Sequence, residues 1–537
     1  MLKQLRLYFL LIFLVEAFSF AGFYYPQLRE VAFFTILAVT LLLTVHKLEY
    51  GLLILLAELF IGSKGYLFFY EYEGTQFSLR IGLFLVVMSA WLGKVLLKWA
   101  STKSGFDINE EVDKYILKSK KVFEDFGDFK NFSDNVKKKF EGIRQKNNLN
   151  IFYLVLFIFL GWGVINGYLR HNNLSDIFFD FNGWIYFGIL FPVLYVFQNS
   201  ENRSEQFLRD LFIVFSAAIV WLVAKTLFLV YGFSHNLLPV VYEVYRWVRV
   251  TGVGEITGTE SGFTRVFFQS HIYVLIGFFI FLSLLMFYKL ERKKKELLYC
   301  SIALLLCVST ILISFSRSFW VGLFIGLLFY YFILIIFFYK EWRAILWQIG
   351  TLITAGVLSV GLIYGVIKFP YPNPNANFSA SLISERASTL GDAAGSSRWN
   401  LLPVLLSEIK KAPLQGEGFG ATVTYVTEDP RVLEQNPSGE YTTYAFEWGW
   451  LDIWLKLGLL GLVAYLVLLG VIAVNGIKNI KYKIFNIKYL DALFSIALLS
   501  GLVMIIVTSI FSPYLNHPLG IGYVVLVSAI LINKRRV

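Results

Sequence analysis

The sequence predicts an all-α polytopic membrane protein, with about 12–14 transmembrane helices and one long extracytoplasmic loop containing short helices. Three observations predict it. Hydrophobic residues make up 57% of the 537 residues, aromatic residues 18% and charged residues only 16%, with a mean hydropathy of +0.64. Soluble chains carry roughly 25% charge and 45–50% apolar residues, so a soluble multidomain enzyme and a disordered chain are both excluded. Apolar runs of about 18 to 25 residues recur along the whole chain, as bilayer-spanning helices require. Lys and Arg are distributed unevenly among the segments between those runs, which orients them.

The candidate spans, in order, are 7–25, 31–45, 49–62, 81–97, 150–168, 183–199, 211–231, 267–288, 297–313, 319–338, 345–367, 449–474, 490–511 and 520–533. The second, third and last are short. The first follows Lys3 and Arg6 and ends near Phe18-Ser19-Phe20-Ala21-Gly22, a signal-peptide-like pattern. A retained span is the preferred reading, and cleavage would leave the remaining topology unchanged. With the N-terminus inside, the cytoplasmic segments collect 31 of the 48 Lys and Arg and the outer segments 14, so both termini are expected in the cytoplasm.

Two segments are too long to be turns. They divide the chain into N-terminal spans (1–97), a basic amphipathic cytoplasmic loop (98–149), central spans (150–367), a long extracytoplasmic loop (368–448) and C-terminal spans (449–537). In 98–149, Phe123, Phe126, Phe129 and Phe132 recur among Lys, Asp and Glu, which suits a helix near the anionic inner leaflet and equally a solvated helical linker. In the outer loop, Leu402, Leu405, Leu406 and Ile409 share a helical face, serines precede it, and Pro413 with the following glycines ends it. Cys300 and Cys307 lie seven residues apart in one apolar run, which suits neither a zinc site nor a disulfide framework. No metal site, cofactor site or nucleotide loop is found: Gly416-x-Gly418-x-Gly420 follows a helix and lacks GxGxxG spacing. The net charge of +11 has first to be divided between the two sides of the membrane and is not read as a nucleic-acid signal.

Arginines on the outer side are the main chemical signal, because the charge bias disfavours them there. Arg265 follows Gly262-Phe263-Thr264, Arg317 sits in the minimal turn Ser314-Phe315-Ser316-Arg317-Ser318, and Arg386 and Arg398 lie in the long loop. Guanidinium groups converging there would bind a diphosphate bidentately, whereas a lone arginine would snorkel to lipid phosphates. Glu447 at the outer mouth of a span suits a general base or an acceptor-binding carboxylate. Asp452 and Lys456, four apart, read as a structural pair. Trp448 and Trp450 would stack on sugar rings or belong to an interfacial belt. His271 and His517, near the outer boundary, would contact an acceptor or serve as packing residues.

At these residues the chain resembles the O-antigen ligase and O-antigen polymerase superfamily of bacterial membrane glycosyltransferases. Ser316-Arg317-Ser318 before a glycine-containing span resembles that family's Ser-Arg motif. Arg398 followed by a helix and Pro413-Leu414-x-Gly416-x-Gly418 resembles its loop signature, and Leu457-Gly458-Leu459-Leu460-Gly461 its following span. The likeness covers roughly 260–470. Ligases of the family usually carry His-Asn about eleven residues before the span glycine, where this chain has Glu447-Trp448. The ending Ser512-Pro513-Tyr514-Leu515-Asn516-His517-Pro518 is closer to polymerase-type members.

The resemblance implies an inverting, metal-independent transferase without cofactors, in the bacterial plasma membrane. It would move or polymerise glycan from an undecaprenyl-diphosphate carrier at the outer face, in O-antigen, capsule or exopolysaccharide synthesis, with a slight lean to polymerase. Its partners would be the carrier-linked glycan, a glycan or lipid acceptor, membrane lipids, and a chain-length regulator or flippase. Arg265, Arg317, Arg386 and Arg398 would bind the diphosphate and Glu447 would handle the acceptor. The rival reading is a lipid-linked oligosaccharide flippase or other polysaccharide transporter.

Overall fold

The computed structural model describes every residue except 1, 104–148, 200, 238–239, 259–262, 373, 375–381, 383–392 and 533–537. The amphipathic pattern of 98–149 therefore lies almost wholly outside the described residues, as does Arg386. The apolar runs fold as helices, and the chain is an all-α polytopic membrane protein. Among the described residues, eleven helical stretches are long and apolar enough to cross a membrane; one of them, Arg317–Ile367, contains two successive helices.

The elements run in order α1 (Leu2–Tyr24), α2 (Pro26–His46), α3 (Leu48–Ile61), β1 (Phe69–Tyr72), β2 (Thr75–Ser78) and α4 (Leu79–Lys103). Next come α5 (Leu149–Leu169), α6 (Leu174–Asn182), a 3-10 turn (Trp184–Ile189), α7 (Leu190–Asn199), α8 (Glu201–Ser234), α9 (Val240–Val250), β3 (Gly254–Gly258) and β4 (Thr264–Phe268). The core continues through α10 (His271–Leu290), α11 (Lys294–Ile313), α12 (Arg317–Phe338) and α13 (Trp342–Ile367). The long loop holds α14 (Ala393–Lys411), β5 (Val423–Val426), α15 (Pro430–Gln435) and β6 (Glu440–Thr443). The chain ends in α16 (Gly449–Phe485), α17 (Tyr489–Thr508) and α18 (Pro518–Ile532).

Burial is inverted relative to a soluble bundle. Tyr153, Phe187, Tyr273 and Leu304 are sealed inside, while Leu42, Leu97, Ile353 and Val357 on outward faces are between 64% and 74% exposed. Large apolar side chains standing free on helix exteriors are what a hydrocarbon solvent accommodates.

Three features depart from the sequence reading. The short strands pair into three antiparallel hairpins, β1–β2, β3–β4 and β5–β6. The predicted span 183–199 is a broken helix, with α6, the 3-10 turn and α7 in succession. The predicted span beginning at 267 starts at His271, because residues 264–268 pair with 254–258 as a strand.

The helices alternate in direction, so chain order assigns each junction to an end of the bundle. One end collects the β1–β2 and β3–β4 hairpins, the α5–α6 turn, the Ser314–Ser316 turn, the long loop and residues 509–517. The other collects the α2–α3, α7–α8, α10–α11, α12–α13 and α16–α17 junctions. Every described residue singled out for chemistry lies at the first end.

Candidate functional site

The Ser-Arg turn is held rigidly. Phe315 takes a φ of 47°, a left-handed conformation that costs a bulky residue of order 1 kcal/mol or more and persists only where packing fixes it. Its buried ring lies 4.9 Å from Phe263 and 6.0 Å from Trp320. The Ser314 hydroxyl donates to Ile311 O at 2.6 Å, and the Arg265 Nε donates to Ser314 O at 2.8 Å. Helix α12 then opens on Arg317, which is half-buried. A cation at a helix N-terminus opposes the helix dipole, so Arg317 occupies a place that favours an anion alongside it. Arg265 also faces Glu255 at 3.8 Å and Phe267 at 5.0 Å to the ring centre.

Residues 509–517 join this turn to the long loop. Ser512 hydrogen-bonds Ser318 at 3.0 Å, and Tyr514 stacks beside Phe319 at 5.8 Å and donates to Gln269 O at 3.1 Å. On their other flank, Phe511 lies 5.7 Å from the Trp448 ring, whose indole nitrogen donates to Arg398 O at 3.0 Å. The Arg398 guanidinium donates through Nε to the Glu447 carboxylate. A continuous chain of contacts thus links Arg265, the Ser314–Ser318 turn, Trp448, Arg398 and Glu447, residues far apart in the sequence.

Helix α14 carries Arg398, but differently from the sequence expectation. It begins at Ala393, ahead of the serines, so Arg398 stands in its second turn. Its buried face is Leu401, Leu405 and Ile409 rather than one including Leu402 and Leu406. That face packs on Ala421, Val423, Phe446 and Leu455, which docks the loop onto the start of α16.

The glycines of Pro413-Leu414-Gln415-Gly416-Glu417-Gly418-Phe419-Gly420 insert the loop into the bundle. Helix α16 breaks at Gly458, with φ 70° and ψ 176°. The carbonyls of Leu455 and Lys456 at that break accept from Glu417 N at 2.6 Å and Gly418 N at 3.2 Å. Leu459 N donates to Pro413 O at 2.9 Å, and Phe419 N to Gly163 O on α5 at 2.9 Å. A break at membrane depth is tolerated because another protein segment satisfies the freed groups. Gly418 has a φ of 79°, and a Cβ there would lie 2.1 Å from the Gly167 nitrogen. The side chains Asn166, Trp162 and Trp454 donate to carbonyls of the same segment, and Arg170 pairs with Glu417 at 2.5 Å.

Beside this strap lies a buried charge cluster. Lys456 sits 2.6 Å from Asp180 and 2.5 Å from Asp452, Gly420 N donates to Asp180 at 3.0 Å, and the Asn516 amide donates to Asp452. The pairing of Asp452 with Lys456 is as the four-residue spacing predicts. Asp180 is an additional member that no local pattern announced. Two further buried pairs, Arg80–Glu58 and Lys225–Glu16, both at 2.8 Å, are likewise invisible in local spacing.

Of the remaining sequence candidates, His271 is fully buried: its Nε2 meets the Thr226 hydroxyl at 2.9 Å and its Nδ1 accepts from Phe268 N at 3.3 Å. His517 accepts from Leu519 N at 3.4 Å and is half-buried. Burial, followed by Arg80 and Lys64, pushes its pKa down to about 3, so it is neutral. Trp450 packs on Tyr465 and donates to Ile506 O at 3.1 Å. Two residues that sequence reasoning missed stand at the site. Trp399 is 54% exposed beside Trp448 at 5.6 Å. Tyr425 has its pKa pushed up to about 12, by burial first and then by Glu447, Tyr441 and Asp429, so it remains a hydroxyl donor. An aromatic next to an arginine at 399 was the available signal for the first; nothing local marks Tyr425.

No curated protein and no solved structure matches the chain. Residues 302–466 match the family model described as O-antigen ligase. The matched stretch contains the Ser-Arg turn, Arg398, the glycine strap, Glu447 and the break at Gly458, and over it the chain is similar to the O-antigen ligase family.

Proposed function

We propose that the protein is a membrane glycosyltransferase that moves glycan from a polyprenyl-diphosphate carrier to an acceptor hydroxyl at the outer membrane face. The observation that carries the reading is the contact chain joining the Ser-Arg turn to the Arg398–Glu447 pair, all at the end of the bundle that the Lys/Arg bias assigns to the outside. The family match supports a lipid-linked glycan as donor and a lipid or glycan as acceptor.

In this reading Arg317 and Arg398 hold the donor diphosphate, and Arg265 braces the turn that presents Arg317. Arg398 meets Glu447 through Nε, so its terminal nitrogens keep the fork geometry that suits phosphate oxygens. The acceptor oxygen attacks the anomeric carbon while the bond from that carbon to the diphosphate oxygen breaks. The electron pair leaves with the carrier diphosphate, where the guanidinium charges stabilise it. Glu447 takes the acceptor hydroxyl proton. One-step displacement inverts the anomeric configuration. Trp399 and Trp448 offer aromatic faces for sugar rings. Glu447-Trp448 in place of the ligases' usual His-Asn favours polymerase over ligase as the finer assignment.

The test is the glycan length profile, on the carrier and at the cell surface, after gene deletion. Single-repeat carrier lipid on the outer leaflet without long chains means polymerase; long chains stranded on the carrier mean ligase. Short units trapped on the inner leaflet would overturn the enzyme reading and favour a flippase.

A further inference from the structure

Helix α8 ends at Ser234 and α13 at Ile367, both at the end of the bundle that holds the candidate site. Between these two helix ends lies the buried imidazole of His235. Its Nδ1 is 2.8 Å from Tyr231 O, in the last turn of α8. Its Nε2 is 2.8 Å from Phe369 O, two residues beyond α13, where the long loop begins. We infer that His235 is held as an imidazolium that latches the start of the long loop to α8, a clamp that opens as pH rises.

The two carbonyls carry the inference. A carbonyl oxygen only accepts, and a neutral imidazole has one N–H. A neutral ring would satisfy one carbonyl and set a nitrogen lone pair against the other at 2.8 Å. The imidazolium donates to both. Turning the ring over does not help, because it brings C–H groups to the same distance, well inside the roughly 3.3–3.6 Å of carbon–oxygen contacts.

The surroundings favour the charge. Tyr231 O belongs to a helix C-terminus and Phe369 O follows another, and helix C-termini carry the partial negative charge that attracts a cation. The Tyr231 ring lies 4.4 Å from the imidazole, where its face stabilises a positive ring. The Tyr231 hydroxyl donates to Tyr371 O at 2.7 Å, so α8 holds the carbonyls of both 369 and 371. Among the described residues no carboxylate pairs with His235. Tyr231 stands against the ring, and Lys368 and Tyr371 flank the segment it holds. The charged and titratable groups on neighbouring elements have partners of their own. Glu243 on α9 pairs with Arg246 at 3.3 Å, Lys225 with Glu16 on α1 at 2.8 Å, and Arg265 on β4 with Glu255 at 3.8 Å. His271 on α10 meets Thr226 at 2.9 Å. Because the folded contacts need the second proton, the clamp is complete where the ring is protonated and is lost as pH rises. The inference does not depend on the glycosyltransferase reading.

The experiment is hydrogen–deuterium exchange over residues 364–372 of the full chain in nanodiscs. It is run at about pH 6 and about pH 9, on either side of the ordinary histidine value, with rates corrected for the intrinsic effect of pH. Wild type is expected to exchange this segment about tenfold or more faster at the higher pH, the scale of one hydrogen bond to a charged group. His235→Gln is expected to exchange it fast at both. The ¹⁵N resonances of the His235 ring, identified by their absence in His235→Gln, are expected to show two protonated nitrogens at the lower pH. Wild-type exchange that ignores pH, an equal pH response in His235→Gln, or a neutral ring at the lower pH would overturn the clamp. Should His235→Gln fail to accumulate, the wild-type exchange alone decides.

Discussion

Arg398 and Glu447 face each other across the mouth of the long loop, joined through the guanidinium Nε and one carboxylate oxygen. Their side chains are 30% and 50% exposed, so the pair sits at a surface and not in a core. An exposed ion pair contributes roughly 0–1 kcal/mol to stability, too little to explain its presence as a structural fastener. It does hold Glu447 in a fixed direction, which a proton acceptor needs, and leaves one edge of Arg398 for an incoming anion.

Glu447→Gln keeps the shape of the side chain and removes its basicity. Under the proposed mechanism it lowers glycan transfer from the carrier by roughly 10²–10⁴-fold, the usual contribution of a positioned general base. Protein abundance and the melting midpoint should stay near wild type because the group is exposed. Arg398→Ala combined with Glu447→Gln should lose far less than the product of the single losses, since the two act together. Rates in the double variant that multiply independently would argue against a joint role.

Arg317 tests the diphosphate role separately. Its alanine variant is expected to lose about 10²–10³-fold or more in transfer, the scale for removing one transition-state charge contact. Arg317→Lys should recover little, because an ammonium keeps the charge and loses the fork. The check is transfer measured at membrane protein levels matched by immunoblot. Full activity in Arg317→Ala sinks the proposal for this residue.

The spans were legible because a bilayer demands long apolar helices, and the Ser-Arg turn was legible because an arginine between two spans has nowhere to go. What escaped reading depended on partners far along the chain. Asp180 and Lys456 are 276 residues apart, and Lys225 and Glu16 are 209 apart, so no periodicity could join them. The β3–β4 hairpin was hidden because Val266-Phe267-Phe268 reads equally as the start of an apolar helix; register with 254–258 decides it. The replacement of Leu402 and Leu406 by Leu401 on the buried α14 face, beside the expected Leu405 and Ile409, has the same origin. Four leucines at 401, 402, 405 and 406 allow either face inward, and the β5 strand and Phe446 select one.

Gly418 carries a stability prediction that follows from backbone geometry. Its φ of 79° strains any L side chain, and a Cβ would lie 2.1 Å from Gly167 N. Gly418→Ala is expected to cost more than about 2 kcal/mol and to release the loop from the break at Gly458. Gly470→Ala, a helical glycine with nothing within 4 Å, should be neutral or stabilising by up to about 1 kcal/mol. Thermal unfolding of the three proteins in one detergent gives the comparison. Equal midpoints for Gly418→Ala and wild type would remove the strap from its structural role.

His517 predicts an acid sensitivity. Its folded-state pKa, about 3, lies below the ordinary value near 6.5, so the unfolded chain binds the proton more readily. Its neutral form therefore contributes stability that is fully present above pH 6.5 and is lost as pH falls from there towards 3. Melting midpoints taken between pH 7.5 and 4.5 should fall for wild type. His517→Asn should flatten part of that slope while leaving the midpoint at pH 7.5 little changed. An identical slope in the two proteins would assign the acid response to other groups.

Lys456 decides whether the buried cluster holds the site together. With the lysine replaced by Met, Asp180 and Asp452 keep only Gly420 N and the Asn516 amide as donors, with their side chains 8% and 3% exposed. Removing one partner from a buried ion pair costs about 3–5 kcal/mol, because a charge is left without compensation. Here one cation serves two carboxylates, which places Lys456→Met at the upper end of that range. Asp180→Asn should cost less, since it leaves Lys456 paired with Asp452. The two orders of stability, read by thermal unfolding in detergent, are therefore expected to be wild type above Asp180→Asn, and Asp180→Asn above Lys456→Met. A Lys456→Met protein as stable as Asp180→Asn would mean that water or a proton, and not the lysine, balances the pair.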